Sequence, residues 1–397
     1  LTDGDVVTVT PSAVEIEDKD GNQVERNQFH VDDDATASEK GAYDFFMLKE
    51  IDEQPAVIRG LQQTYIAQDG SIKVDKKLMD AMDKADRLYI VAAGTSYNAG
   101  LVGKNIFEKI AGIPTEVHIA SEFGYNMPLL SEKPLFIFLT QSGETADSRE
   151  VLAKVNELGY ESLTITNVPN STLSREATYT MLLNAGPEIA VASTKAYTAQ
   201  IAAETILAKG LGMIKGTKQA TEFDTGFELT KAANAIQSLV DQKDIVEDLA
   251  KKYLETTRNA FYIGRGIDYQ TAIEAALKLK EVSYVQTEGF ASGELKHGTI
   301  SLIEDKTPVI AIITDQKTAS LTRSNEQEVI SRGANVINIV SENLATDGDQ
   351  IVLPEVHQLL TPLAAIIPAQ LLAYYTSKER GYDVDKPRNL AKSVTVE

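Results

Sequence analysis

One pattern occurs twice in this chain. The apolar run Leu88-Tyr89-Ile90-Val91-Ala92-Ala93 passes through Gly94 into Thr95-Ser96-Tyr97, and Ala260-Phe261-Tyr262-Ile263 passes through Gly264-Arg265-Gly266 into Ile267-Asp268-Tyr269. A second pair recurs at nearly the same separation. Leu135-Phe136-Ile137-Phe138-Leu139 leads into Thr140-Gln141-Ser142, and Val309-Ile310-Ala311-Ile312-Ile313 leads into Thr314-Asp315-Gln316. Matched separations indicate an internal duplication. In each half a buried strand, a tight turn and a helical pattern alternate, which predicts a parallel sheet with helices on both faces. The fold class is therefore α/β, with two doubly wound domains.

Ligands of such sheets gather outside the carboxyl ends of the strands. Two hydroxyl-rich turns lie there, 94–98 and 140–145. The second, Thr140-Gln141-Ser142-Gly143-Glu144-Thr145, precedes a helical pattern from Ser148 to Leu158. The first N–H groups of a helix lack intrahelical partners and favour an anion. Gly143 permits close backbone approach, and the hydroxyls of Thr140, Ser142 and Thr145 add donors. Neither a Walker sequence nor Gly-x-Gly-x-x-Gly is present, so a phosphate rather than a nucleotide is indicated. The alternative is that Ser142 or Thr145 only caps the helix. In the second half Ser96 becomes Asp268, and Thr140-Gln141-Ser142-Gly143 becomes Thr314-Asp315-Gln316-Lys317. An Asp repels phosphate, so the anion site is expected in the first half alone.

The second half offers different chemistry. Residues 272–285 form a strong helical pattern with Glu274, Lys278 and Glu281 on one face. Such a face is ordinarily a solvated ion-pair ladder; here Ile273, Ala276 and Leu277 flank it and would partly bury it. Glu294-Leu295-Lys296-His297-Gly298 adds an imidazole, which taken alone reads as a capping or core histidine. The end of the chain, Asp383 to Glu397, is polar and contains Pro387, which forbids a long helix.

The remaining stretches frame these. Val6–Thr10, Ala13–Glu17 and Gln23–Arg26 read as two or three short strands around an Asp20-Gly21-Asn22 turn, a remnant of a larger sheet. Residues 29–55 carry the acidic loop Asp32-Asp33-Asp34 and then a linker, Ala42 to Gln54, that docks on something apolar. Helices are expected at 54–68, 77–84, from about 195 to 211, and as a pair over 227–255. The net charge of −20 argues against a nucleic-acid or anionic-membrane binder. There is no Cys, so disulfides, Cys-based zinc sites and a Cys nucleophile are excluded within the chain. The four histidines have no metal-like spacing. No signal peptide is visible, and no apolar run reaches the roughly 18 residues of a membrane span. The opening at Leu1, mid-pattern, is that of a fragment.

Six stretches together resemble the isomerase part of the glutamine–fructose-6-phosphate aminotransferase family, which consists of two sugar isomerase (SIS), flavodoxin-like domains. They are Gly94-Thr95-Ser96-Tyr97-Asn98, Gln141 to Asp147, Val191-Ala192-Ser193-Thr194-Lys195, Leu277-Lys278-Leu279-Lys280-Glu281, Gly293 to Gly298, and the tail Pro387 to Glu397. Single motifs occur in other SIS proteins; the set with the tail is specific to the aminotransferases. The resemblance implies a glutaminase remnant at 1–28, a linker and lead-in helix at 29–75, SIS domains at 76–226 and 245–382, and a C-terminal lid at 383–397. It implies fructose 6-phosphate as substrate and glucosamine 6-phosphate as product, with the sugar phosphate held by Thr95, Ser96, Thr140, Gln141, Ser142 and Thr145. Val191, Ser193 and Ala391 would line the sugar, Val191 and Ser193 through backbone groups. Glu281 would move the proton between C1 and C2, Lys278 would stabilise developing charge, and Glu274 would support it. His297 would open the ring, reaching the site of a neighbouring subunit in a homodimer, and Lys392 would form a Schiff base or assist ring opening. No metal or cofactor is called for. A cytoplasmic location is implied, with ammonia supplied by a glutaminase domain whose N-terminal Cys lies outside this chain. Two other functions fit single motifs: a non-catalytic sugar-phosphate-sensing SIS module, which needs none of Glu281, His297 or Lys392, and an isomerase for another sugar phosphate, against which the tail argues.

Overall fold

A computed structural model describes residues 1, 4–26 and 39–396; His30 and the acidic triplet Asp32-Asp33-Asp34 lie outside them. The chain divides into two compact units, Leu1–Glu39 and Lys40–Glu397. In the first, strand β1 (Val6–Val9) pairs antiparallel with β2 (Val14–Glu17). The third expected strand is reduced to one bridge between Glu17 and Gln23.

The second unit contains two five-stranded, wholly parallel sheets. One is built from β3 (Arg87–Ala92), β4 (Thr115–Ile119), β5 (Pro134–Leu139), β6 (Ser162–Thr166) and β7 (Tyr179–Leu182). Its spatial order is β4-β3-β5-β6-β7. The other is built from β8 (Asn259–Gly264), β9 (Gln286–Ala291), β10 (Pro308–Ile313), β11 (Asn335–Ser341) and β12 (Ile351–Leu353). Read from the opposite edge its order, β9-β8-β10-β11-β12, is the same topology. The duplication seen in the sequence is thus a duplication of fold. In each sheet the first strand sits between the second and the third, so the order of strand addition reverses beside it, which in the first sheet leaves a crevice at the carboxyl ends of β3 and β5. Strands β3, β5 and β10 are buried nearly end to end, which is why they read as continuous apolar runs.

Two elements differ from expectation. The supposed linker Ala42–Gln54 is mostly helix: a single helix spans Phe46–Tyr65 and passes through Pro55. Pro55 removes the N–H that would bond the Ile51 carbonyl, and the Gln54 side-chain amide donates to that carbonyl at 3.3 Å instead. Helix Thr361–Glu379 gave no amphipathic signal because it is apolar all round. An 18-residue window within Gln358–Glu379 has a mean hydropathy of 1.4, long and apolar enough to cross a membrane, yet 94% of that window is buried inside the protein. The helix packs on helices Ile267–Ser283 and Lys243–Tyr253. The tail beyond Asp383 has no regular secondary structure but is bonded into the unit at several points, described below.

Candidate active site

The two turns at the switch point of the first sheet face one cavity of about 270 Å³. Thr95 and Ser96 follow β3 at the start of helix Gly94–Ile106. Thr140, Gln141, Ser142 and Thr145 follow β5. Glu281 enters from helix Ile267–Ser283 of the second half, Val191 and Ser193 from the loop after β7, and Ala391 and Lys392 from the tail. Eleven of the fourteen residues singled out in the sequence therefore line one pocket. Glu274 and Lys278 lie behind its wall, fully buried. His297 ends the short turn Ser292–His297 and is exposed, away from this cavity.

The 140–145 turn is shaped by its own hydroxyls. Gly143 N–H donates to Thr140 Oγ1 at 3.0 Å and Glu144 N–H to Ser142 Oγ at 3.2 Å. Gly143 has φ +70°, and a Cβ there would overlap the Ser171 side chain, so only glycine fits. Thr145 stands at the N-cap of helix Ala146–Glu157 but makes no capping bond; its hydroxyl lies 3.4 Å from that of Thr140. Capping is therefore not what this hydroxyl does. The helix start is not wholly open, however: Ala146 N–H donates to the Val394 carbonyl of the tail at 3.0 Å. Ser142 also bonds the tail, Oγ to Ser393 Oγ at 2.9 Å. The Val191 N–H, expected to face a sugar, donates instead to the Asp385 carbonyl at 2.9 Å. Ser96 Oγ accepts from Gln200 Nε2 at 2.9 Å, which leaves its own proton available.

Behind the cavity the two halves are joined by buried charge. Lys278 Nζ lies 2.6 Å from Glu281 Oε2 and 3.4 Å from Glu274 Oε1, and donates to Thr95 Oγ1 at 2.8 Å. Glu274 accepts from Thr95 Oγ1 at 3.1 Å and from Asn98 Nδ2 at 2.7 Å. The face that resembles a solvated ion-pair ladder is thus a dry network. Burial pushes the Glu274 carboxyl up to about 7, with Lys278 opposing. Burial also works against the Lys278 ammonium, but the carboxylates of Glu274 and Glu281 outweigh it and push Lys278 up to about 12. Lys278 is a fixed cation next to the exposed edge of Glu281.

In the second half the equivalent turn is filled by the protein itself. Asp268 accepts from Thr314 N–H at 2.9 Å and from the Thr314 hydroxyl. Its carboxylate stands where the first half keeps Ser96, and burial pushes its pKa up to about 7.

A model of the SIS domain family matches residues 81–209 and 253–377. The chain belongs to the SIS domain family. It is 63% identical over 397 residues to a glutamine–fructose-6-phosphate aminotransferase [isomerizing] of Lactiplantibacillus plantarum. It is 57% identical to one of Listeria monocytogenes. Each match takes in all of this chain and 66% of the relative, so the chain spans a little less than two thirds of these relatives. The solved C-terminal domain of the glucosamine-fructose-6-phosphate aminotransferase of Francisella tularensis superposes with a TM-score of 0.84 at 36% identity, covering 88% of this chain and all of that one. A tagatose-6-phosphate ketose/aldose isomerase of Escherichia coli, at 18% identity and TM-score 0.72, shares the fold.

Sequence reasoning missed four residues that organise this SIS site: Asn98, Gln200, Glu50 and Glu188. Gln200 is one of several buried polar residues, with Thr198, Glu204 and Thr205, in helix Lys195–Lys215, so nothing in the pattern singled it out. Glu188 carried no signal either, since it lies in a loop with no periodicity. Its Oε1 accepts from Thr194 N–H at 2.9 Å and Ala196 N–H at 3.0 Å, and its Oε2 from Ser193 Oγ at 3.0 Å and Lys392 Nζ at 2.6 Å.

Proposed function

We propose that this chain binds fructose 6-phosphate and isomerises it between ketose and aldose. In the longer protein of which its relatives are examples, the same site would carry amination to glucosamine 6-phosphate with ammonia from a glutaminase domain. One observation supports this above the others: a single cavity is lined by the hydroxyl turns of the first half, Glu281 of the second half and Lys392 of the tail. A sensing module would need only the turns.

The phosphate would take donors from Ser96, Ser142 and Thr145, with Thr140 ordering the turn. The reacting carbons would then lie toward Glu281, which removes the proton from C1 and returns it to C2. Lys278, held charged, lowers the energy of the enediolate oxygen. His297, exposed and outside this cavity, would serve the site of a second subunit, and the working form would be a homodimer. The reaction belongs in the cytoplasm, where hexose phosphates are made.

The experiment is turnover of fructose 6-phosphate to an aldose 6-phosphate. Replacing Glu281 with Gln should cost about 10²-fold or more with binding retained. Equal turnover by both proteins would remove Glu281 from the reaction. For the shared site, inactive Glu281→Gln and His297→Ala chains are mixed. Random subunit exchange should restore about a quarter of the activity in a two-fold dimer; no recovery would place His297 elsewhere.

A further inference from the structure

Lys392 is not free in the cavity. Its Nζ donates at 2.6 Å to Glu188 Oε2, and Glu188 is fully buried at its side chain while Lys392 is partly exposed. The other Glu188 oxygen is fixed by two backbone N–H groups, Thr194 and Ala196, and Ser193 Oγ also donates to Oε2. The carboxylate cannot turn away. Beside it lies a second buried carboxyl, Glu50 of helix Phe46–Tyr65. Glu50 Oε1 accepts from Ile189 N–H at 2.5 Å and Ala190 N–H at 3.1 Å, and its Oε2 is buried without a partner. Burial and the Glu188 charge push Glu50 up to about 8, whereas at Glu188 burial is outweighed by the Lys392 ammonium and the Ala196 and Thr194 N–H groups, which favour its charged form. Among the hydrogen bonds of the described residues, the Lys392 ammonium donates to Glu188 Oε2 and, at 3.4 Å, to Ser193 Oγ, so Glu188 is the anion it meets there.

We propose that Glu188 is the positioning residue for Lys392 and the acceptor of the proton that Lys392 must lose before it attacks the sugar. This rests on the reading of Lys392 as the imine-forming amine. Glu188 Oε2 takes one proton from the ammonium. The freed Nζ lone pair forms a C–N bond to C2 of the open-chain ketose, the carbonyl π pair moves to the oxygen, and a nitrogen proton passes to that oxygen to give a neutral carbinolamine. The hydroxyl leaves as water with the proton returned by Glu188, and the products are a protonated imine and the Glu188 carboxylate. Because the proton is lent within the site, the rate of this step does not depend on solvent pH across the neutral range.

The test is borohydride trapping of the fructose 6-phosphate adduct, followed by the mass of the tail peptide from pH 6 to 9, in wild type, Glu188→Gln and Glu188→Asp. Binding of glucitol 6-phosphate, which has no carbonyl, is measured alongside. Wild type should trap at a pH-independent rate. Glu188→Gln must lose the proton to solvent, so trapping should fall about 10²-fold at low pH and climb about tenfold per pH unit, with glucitol 6-phosphate binding within about threefold. Glu188→Asp, which keeps a base, should restore the flat profile at a lower rate. A Glu188→Gln profile as flat as wild type overturns the proposal and leaves the function standing. No wild-type adduct overturns both. If Glu188→Gln fails to bind glucitol 6-phosphate, Glu188→Asp decides: a flat profile supports the proposal, a rising one overturns it.

Discussion

Lys278 Nζ stands 2.6 Å from Glu281 Oε2, and the same nitrogen reaches Thr95 Oγ1 at 2.8 Å. A cation on a helix of the second half thus holds the candidate base of that half against the turn of the first. Its burial makes it a joint between two domains.

Removing that cation should be costly. Lys278→Met leaves Glu274 buried among Thr95 and Asn98 with no counter-charge, and breaking a buried pair from one side costs about 3–5 kcal/mol. Urea unfolding of the single variant should show a loss of that order. Adding Glu274→Gln should recover most of it. If the double variant is no more stable than the single, the pair is not what Lys278 supports.

Asp268 supplies a pH test with a definite sign. Its pKa in the folded protein, about 7, lies above the ordinary 3.8, so the fold binds the proton more tightly than the unfolded chain does. The stability this contributes is fully present below about pH 4 and is lost as pH rises through about 7, roughly 4 kcal/mol at most. Asp268→Asn has no such proton. Its unfolding free energy, relative to wild type, should therefore improve between pH 4 and pH 8. A difference that does not change with pH would mean that Asp268 is ionised without penalty.

The phosphate turn should separate two kinds of damage. Ser142→Ala removes one donor, which weakens fructose 6-phosphate binding by about tenfold, the worth of a hydrogen bond to a charged group. Gly143→Ala demands a positive φ from alanine and drives a Cβ into Ser171, so it should abolish binding at accessible concentrations. Calorimetric titration of both variants checks the ranking; equal losses would contradict it.

The tail is anchored far from its end. Asp385 accepts from Phe46 N–H at 2.8 Å and Met47 N–H at 2.9 Å, capping helix Phe46–Tyr65 from the other end of the chain. Asp385→Ala should cost about 1–2 kcal/mol as a lost cap, speed proteolysis within 386–396, and lower turnover of fructose 6-phosphate. Wild-type protease resistance would show that the tail is held elsewhere.

Much of this was legible in the residues. The repeated strand–turn–helix runs named the fold because buried parallel strands must be apolar on both faces, and the order of elements leaves little choice of topology. The turns at 94–98 and 140–145 could be placed at strand ends without coordinates. Helix Thr361–Glu379 could not be found by periodicity, since a helix buried all round has no polar face to mark its turns. Helix Phe46–Tyr65 was cut short at Pro55 because the compensating bond from Gln54 to Ile51 is a side-chain choice that no pattern records.

The sequence by itself determined the fold class, the duplication and the family, because these depend on local pattern and on motifs contiguous in the chain. Only the tertiary structure decided which charges are buried and whom they meet. Glu274, Lys278 and Glu281 look like an exposed ladder until Thr95 and Asn98 close over them, and Glu188 is an ordinary loop residue until the tail returns and sets Lys392 beside it. Such meetings join residues distant in sequence, and their chemistry comes from the exclusion of water, which only the folded chain provides.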